Sequence, residues 1–241
     1  MYRSDTAILE AASAVRDGDF GGLKEILGKA GGAVRLHSPG SLDDMARIIA
    51  KDSVIGPAAG APGGPDGTEG VAHLFEAFSS RAVLSPLRRG PWGVPAMNER
   101  IAWQLGGTSS PFAGMPVMIT RNDPERKLWN GDRGILVSIE GKLRAAFPEA
   151  GGMRSFPLAA LPGWEPAWVQ TIHKSQGSEF DSVTILLPEG ADRLLSREIL
   201  YTAFTRARHR VDLYADNETV RAALERRVVR HSRIRNWAAG G

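Results

Sequence analysis

The chain has 241 residues, 42% hydrophobic and 24% charged, the balance of a folded globular protein with material for one large domain or two small ones. That balance excludes disordered and fibrous classes; no run approaches the roughly 18 consecutive apolar residues of a membrane span, and the N-terminus lacks the basic-then-apolar pattern of a secretory signal. With no cysteine there is no disulfide framework, thiolate zinc site or cysteine nucleophile, and the chain reads as cytoplasmic, with no membrane partner and no bound metal of its own.

In chain order, Ile8, Leu9, Ala12 and Val15 recur near the helical period, the segment breaks at Gly18, and Leu23, Ile26 and Leu27 continue a second helical piece to about Ala30. From Gly56 to Gly70, nine of fifteen residues are Gly or Pro, a composition that no packed element tolerates, so a flexible loop is expected there. A helix is predicted from Val71 to about Ser80, then a short buried strand at Ala82-Val83-Leu84. Met97, Ile101 and Leu105, spaced by four, mark another helix.

Between about Gly114 and Gly163 the pattern changes to short strands with turns, and Glu140-Gly141 between two such runs is a two-residue hairpin signal. This segment reads as a small β-barrel inserted in an α/β domain. After Pro162-Gly163 come strand Trp168 to Ile172, strand Val183 to Leu187, helix Ser196 to Ala207, strand Val211 to Ala215 and helix Thr219 to Val229. Such alternation implies a mainly parallel sheet with crossover helices.

Lys and Arg number 30 against 27 acids, and the formal excess of +3 gathers at the C-terminal end. Six arginines, Arg221, Arg226, Arg227, Arg230, Arg233 and Arg235, face the single acid Glu225. Such a run suits phosphates or an acidic partner; a solvated helix face and tail is the plainer reading.

Two segments carry chemistry. Thr171-Ile172-His173-Lys174-Ser175-Gln176-Gly177-Ser178-Glu179-Phe180 sets polar side chains and a glycine directly after an apolar strand, where an α/β sheet presents its C-terminal edge to ligands. Gly177 lets the backbone turn sharply or approach a phosphate. Leu200-Tyr201-Thr202-Ala203-Phe204-Thr205-Arg206-Ala207-Arg208 reads as a helix capped by Ser196, with Leu200, Ala203, Phe204 and Ala207 on its apolar face and Arg206 projecting elsewhere. An arginine fixed beside a nucleotide neutralises charge on a transferring phosphoryl group; in isolation the same residue is more commonly a surface salt-bridge partner.

Taken together, TIHKSQGSEFD followed by EILYTAFTRARHRVDLYAD resembles motifs V and VI of superfamily 1 helicases and is similar in wording to the RecD family, the α subunit of exodeoxyribonuclease V. The opening Tyr2-Arg3-Ser4-Asp5-Thr6-Ala7-Ile8-Leu9 resembles the motif IV region. Leu84 to Pro91 with Asn98 resembles the next family segment, and Asn130-Gly131-Asp132-Arg133-Gly134 falls where RecD-type helicases carry an SH3-like insertion. The resemblance covers nearly the whole chain and is weakest from about Phe20 to Gly70.

The resemblance implies an α/β RecA-like fold with a mainly parallel sheet and an inserted SH3-like β-barrel. On this plan residues 1–113 and 164–230 form the two parts of the RecA-like domain, residues 114–163 the insertion, and residues 231–241 a basic tail. Arg3 and Arg206 would close on the γ-phosphate, with Glu179 contacting the nucleotide near Gly177. Thr171, His173 and Ser175 would face single-stranded DNA, with Asn98 and one of Arg88 and Arg89 as further candidates for the same groove.

ATP hydrolysis in this superfamily also needs a Gly-rich loop ending in Gly-Lys-Ser/Thr and an acidic pair for Mg²⁺. The nearest approach, Gly22 to Ala30, has one residue too many between its glycines and an alanine in place of the hydroxyl, and the sequence contains no Asp-Glu dipeptide. The reading is therefore the C-terminal motor half of an ATP-dependent 5′ to 3′ DNA helicase, inactive alone, with the Mg²⁺ ligands on an N-terminal RecA-like domain. Its implied partners are single-stranded DNA, that domain, and the RecB and RecC subunits of the exodeoxyribonuclease V that repairs double-strand breaks through recombination. Two other readings stay open: a stand-alone RecD-like helicase, and a non-catalytic module that holds DNA or protein through the β-barrel and basic tail.

Overall fold

The computed structural model describes residues 5–29, 31–53, 67–107, 110–188 and 195–227. Arg3, most of the expected Gly/Pro loop and the arginine tail beyond Arg227 lie outside the described residues.

The two N-terminal helices are set by local chemistry. In α1 (Thr6–Asp17) the Asp5 carboxylate accepts from the Ala7 amide, Ile8, Ala11, Ala12 and Val15 are buried, and Gly18 ends the helix in a left-handed conformation at φ 75°. Asp19 then caps α2 (Phe20–Leu27), accepting from the Gly22 amide. Next come two elements the hydrophobic pattern did not reveal: strand β1 (Val34–His37) and helix α3 (Leu42–Asp52). The helix is announced by a capping box in which Ser41 and Asp44 satisfy each other's backbone amides. The strand is too short and too polar for its alternation to register.

Helix α4 (Gly67–Ser79) begins inside the expected loop, four residues ahead of Val71. Strand β2 (Arg81–Ser85) and helix α5 (Val94–Gly106) follow. Five antiparallel strands come next: β3 (Pro116–Ile119), β4 (Arg133–Ile139), β5 (Lys142–Glu149), β6 (Gly152–Pro157) and β7 (Trp164–Pro166). The chain then returns through β8 (Val169–Thr171), β9 (Phe180–Leu186), α6 (Arg197–Phe204), β10 (Ala207–Tyr214) and α7 (Asn217–Glu225).

Sheet order β1-β10-β9-β2-β8, with every pairing parallel, gives the expected mainly parallel α/β organisation. One face is apolar: Leu84, Val183, Ile185, Val211 and Leu213 pack with Ile8 and Val15 of α1, Leu200 and Phe204 of α6, and Val220 and Leu224 of α7. The other core joins the two sheets. Met45 of α3, Met97 and Ile101 of α5 and Trp168 pack with Val117, Leu136 and Phe147 of the antiparallel strands.

The inserted strands run in the order β6-β5-β4-β3-β7. No described pairing joins β6 to β7, so the expected barrel is an open antiparallel sheet in its hydrogen bonding. Its central hairpin is the one the sequence marked: Ile139 pairs with Lys142 across Glu140 and Gly141, at φ 52° and 71°, the two positive angles of a tight primed turn. Strand β3, where the excursion begins, pairs with β7, where it ends.

Gly134 in β4 permits a close backbone approach, because a Cβ there would lie 2.5 Å from the Ala146 carbonyl oxygen and 2.7 Å from the Phe147 ring. Replacing Gly134 by Ala is expected to lower the free energy of unfolding by about 1–3 kcal/mol through overpacking, read as a shift of the urea midpoint. An unchanged midpoint would show that β4 and β5 separate without cost.

Candidate nucleotide and DNA faces

The segment after β8 has an unusual task. Thr171 pairs with Ser85 at the C-terminal end of β2, whereas β9 starts at the opposite end of the sheet, where Arg81 pairs with Ser182. Residues 172–179 therefore cross the height of the sheet, passing β2. The polar residues are not all at the C-terminal edge, as the strand-then-loop pattern predicts: Thr171 to Lys174 lie there, and Ser178 and Glu179 lie at the far edge.

The crossing segment is a chain of tight turns. The Ser175 amide donates to the Thr171 and Ile172 carbonyls, Gln176 to His173 and Ser178 to Ser175, while buried Ile172 anchors the segment in the apolar core. Ser175 is fully buried and its hydroxyl donates to the Ile172 carbonyl at 2.7 Å, so its side chain braces the turn and does not face DNA. Gly177 turns at φ 85° into open space, where an added Cβ would meet no atom within 4 Å. The glycine is there for its backbone angle and leaves the peptide approachable.

At the far edge, Ser196 caps α6 by accepting from the Ile199 amide, and the helix ends at Phe204 with Thr205 as its cap. The sequence pattern carries the helix through Ala207. It stops earlier because the Arg206 carbonyl is recruited by the Phe180 amide at 2.8 Å and Ala207 pairs with Phe180 to open β10. Arg206 thus stands in the turn between α6 and β10. Its guanidinium donates to the Thr202 carbonyl (Nε, 3.2 Å), the Ser178 carbonyl (Nη1, 3.0 Å) and the Thr205 hydroxyl (Nη2, 3.4 Å). All three acceptors are neutral, and among the described residues no carboxylate pairs with it. Its orientation is fixed and its charge is left uncompensated. Glu179, by contrast, is exposed and engaged by Arg208 through Nε (3.2 Å) and Nη2 (3.0 Å).

At the near edge, Arg88, Thr171, His173 and Lys174 line one cleft of about 210 Å³, with Glu165 and the first residues of α5. Of the two neighbouring arginines, Arg88 lines the cleft and Arg89 does not. The lysine was not anticipated. Its ammonium reaches Glu165 of β7 at 2.6 Å and tethers the crossing segment to the inserted sheet, a pairing with no signature in the sequence.

Asn98 is not in that cleft. It is buried in α5, where its amide nitrogen donates to the carbonyls of Pro166 (2.8 Å) and Val169 (2.9 Å) and its oxygen accepts from the Val169 amide (2.8 Å). A buried amide whose bonds are all taken by backbone has nothing left for DNA; it fixes the passage from β7 to β8 instead. A larger cavity of about 500 Å³ lies over the other face of the parallel sheet, floored by Ser182, Thr184 and Asp212, and none of the expected site residues lines it. Among the described residues no three carboxylate or histidine side chains gather to hold a metal ion, and no helix is long and apolar enough to cross a membrane.

Residues 166–214, from the end of β7 to the end of β10, match the UvrD-like helicase C-terminal domain. The chain is similar to the RecBCD enzyme subunit RecD of Mycolicibacterium smegmatis, 35% identical over 240 residues, covering 97% of this chain and 42% of that protein. It is 42% identical over 159 residues to the RecBCD enzyme subunit RecD of Mycobacterium tuberculosis, 64% of this chain and 28% of that one. The ATP-dependent RecD2 DNA helicase of Deinococcus radiodurans is 32% identical over 138 residues, 53% of this chain and 19% of that protein. The chain thus spans under half the length of each of these relatives.

Replacing Asn98 by Ala strands two carbonyls and one amide in the interior, and a loss of about 2–4 kcal/mol in unfolding free energy is expected from their desolvation. Oligo(dT) affinity of the folded fraction should stay within about two-fold, since no phosphate contact is lost. A loss of affinity without a loss of stability would return Asn98 to the DNA face.

Proposed function

For a chain related to the C-terminal helicase portion of RecD-family proteins, we propose the role of second motor half in an ATP-dependent DNA helicase that travels 5′ to 3′ on single-stranded DNA. The carrying observation is Arg206: a guanidinium held by three neutral oxygens, one of them the Ser178 carbonyl, at the end of the segment whose beginning lines the cleft of Arg88, Thr171 and His173. An arginine oriented without a carboxylate is matched to a polyanion that arrives and leaves.

The residues fit one side of a nucleotide. Arg206 supplies the cation, the peptide at Gly177 is open to approach, and Glu179 stands next to it. ATP bound with Mg²⁺ would supply the phosphoryl group and its hydrolysis energy; its phosphate loop and metal ligands belong to the N-terminal RecA-like domain of the intact protein. Arg206, joined by Arg3, offsets the charge on the terminal phosphoryl group from across the interface. At the other edge, Arg88 holds backbone phosphates while Thr171 and His173 offer hydrogen bonds to the strand, so binding is indifferent to sequence and weakened by salt.

Because one turn segment carries both ends, closure on ATP and release after hydrolysis alter the grip on DNA, and alternation of the two states moves the strand. The full assembly we propose is the α subunit of exodeoxyribonuclease V with the RecB and RecC subunits, acting in the cytoplasm in recombination and double-strand break repair. The match to a RecD2 helicase supports a second reading with the same chemistry, a helicase without those subunits.

By itself the 241-residue chain should bind oligo(dT) with a steep salt dependence and release no phosphate from ATP. In the intact protein, Arg206→Ala is expected to lower DNA-stimulated ATP turnover by about 1,000-fold with DNA affinity little changed. Arg88→Ala should weaken DNA binding and reduce the salt slope by about one. Turnover that survives the loss of Arg206 would remove the motor assignment and leave a DNA-binding module.

A further inference from the structure

The Asn130-Gly131-Asp132-Arg133-Gly134 motif is not used by the nucleotide face or the DNA cleft, and the structure accounts for each of its parts. The Asn130 amide donates to the Asn122 side chain, Gly131 turns at φ 103°, and the Asp132 carboxylate accepts from the Trp129 amide at 2.7 Å. Gly134 lets β4 approach β5. The turn and the close approach together aim Arg133, the first residue of β4, out of the inserted sheet and into the parallel one.

There the guanidinium lies between two buried rings, 3.9 Å from the centroid of Phe78 at the end of α4 and 5.5 Å from that of Phe180, the first residue of β9. It reaches the Arg81 carbonyl at 3.4 Å, its Nε is sealed from solvent without a partner, and no described carboxylate compensates it. Burial alone pushes its pKa down to about 10, so it remains charged at neutral pH. A half-buried cation held mainly by ring faces gives direction more than stability: an apolar side chain of similar size would cost the fold less.

Phe180 links this cation to Arg206. The Phe180 amide donates to the Arg206 carbonyl, and two residues earlier the Ser178 carbonyl accepts from the Arg206 guanidinium. Moving the Phe180 ring moves both ends of the cradle that orients Arg206.

We propose that Arg133 is a positioning residue, which ties the inserted antiparallel sheet to Phe180 and so makes the setting of Arg206 depend on where that sheet sits. This rests on the motor reading above. Force on the inserted sheet from bound DNA is then felt at the arginine of the nucleotide face, by a route separate from the turn segment.

Two measurements test it, using Arg133→Met and Arg133→Lys. In the 241-residue chain, amide hydrogen exchange of Arg133→Met should be faster by about ten-fold at Phe180 and its neighbours around Arg206, unchanged at Val183 and Ile185, with the thermal midpoint kept. In the intact protein, its DNA-stimulated kcat should fall by about ten-fold with KM for ATP and DNA-independent turnover retained, because a small misplacement of an orienting group is felt mainly in the transition state. Arg133→Lys keeps the charge but not the planar stack and should fall between. Unchanged exchange overturns the proposal, as does altered exchange with wild-type stimulation in a protein that Arg206→Ala inactivates. A parallel loss of basal and stimulated turnover with a lowered midpoint makes Arg133 merely structural. Full activity in Arg206→Ala overturns the motor reading, and this proposal with it.

Discussion

Parallel pairing of β8 and β9 on either side of β2 obliges residues 172–179 to travel from one edge of the sheet to the other. Most parallel connections of this kind are made by a helix and a dozen or more residues. Here the crossing is short, so it has to be stiff: successive tight turns, a hydroxyl spent inside the backbone at Ser175, and an apolar anchor at Ile172. A stiff segment with one end at the Arg88 cleft and the other at Arg206 cannot shift at one end alone. The separation of the two faces and their linkage both come from this constraint.

The inserted sheet is fastened to the same machinery by bonds of different character. Asn98 fixes the chain between β7 and β8 with three hydrogen bonds in the interior, a permanent contact that belongs to the fold. Lys174 and Glu165 join at the partly exposed edge, where an ion pair is weak and easily exchanged. Arg133 is shut between rings. All three contacts lie alongside the buried apolar core that joins the two sheets.

Much of this was legible in the residues. Apolar spacing gave α1, α2 and α5, the alternation after Gly163 gave a parallel sheet, and Glu140-Gly141 gave the hairpin, because in each case local chemistry and burial agree. Strand β1 escaped because Val34–His37 is a short edge strand with an arginine and a histidine at alternate positions. The family motifs pointed to Arg206, Thr171 and His173, but a motif carries no direction. That Ser175 and Asn98 turn inward, and that α6 ends before Arg206, depends on which backbone groups need partners. Those partners lie far away in sequence.

The pairing of β3 with β7 has a consequence for how such a chain is assembled. The inserted strands leave and rejoin the host at neighbouring positions, Val117 beside Pro166. The entropy of closing a loop depends on the gap its ends must span, and a folded excursion with adjacent ends presents a short gap whatever its length. To the parallel sheet the whole insertion is therefore a tight connection. Such a module can be enlarged, trimmed or exchanged without the host sheet losing its register, and its contents are free to diversify where the host sheet is not.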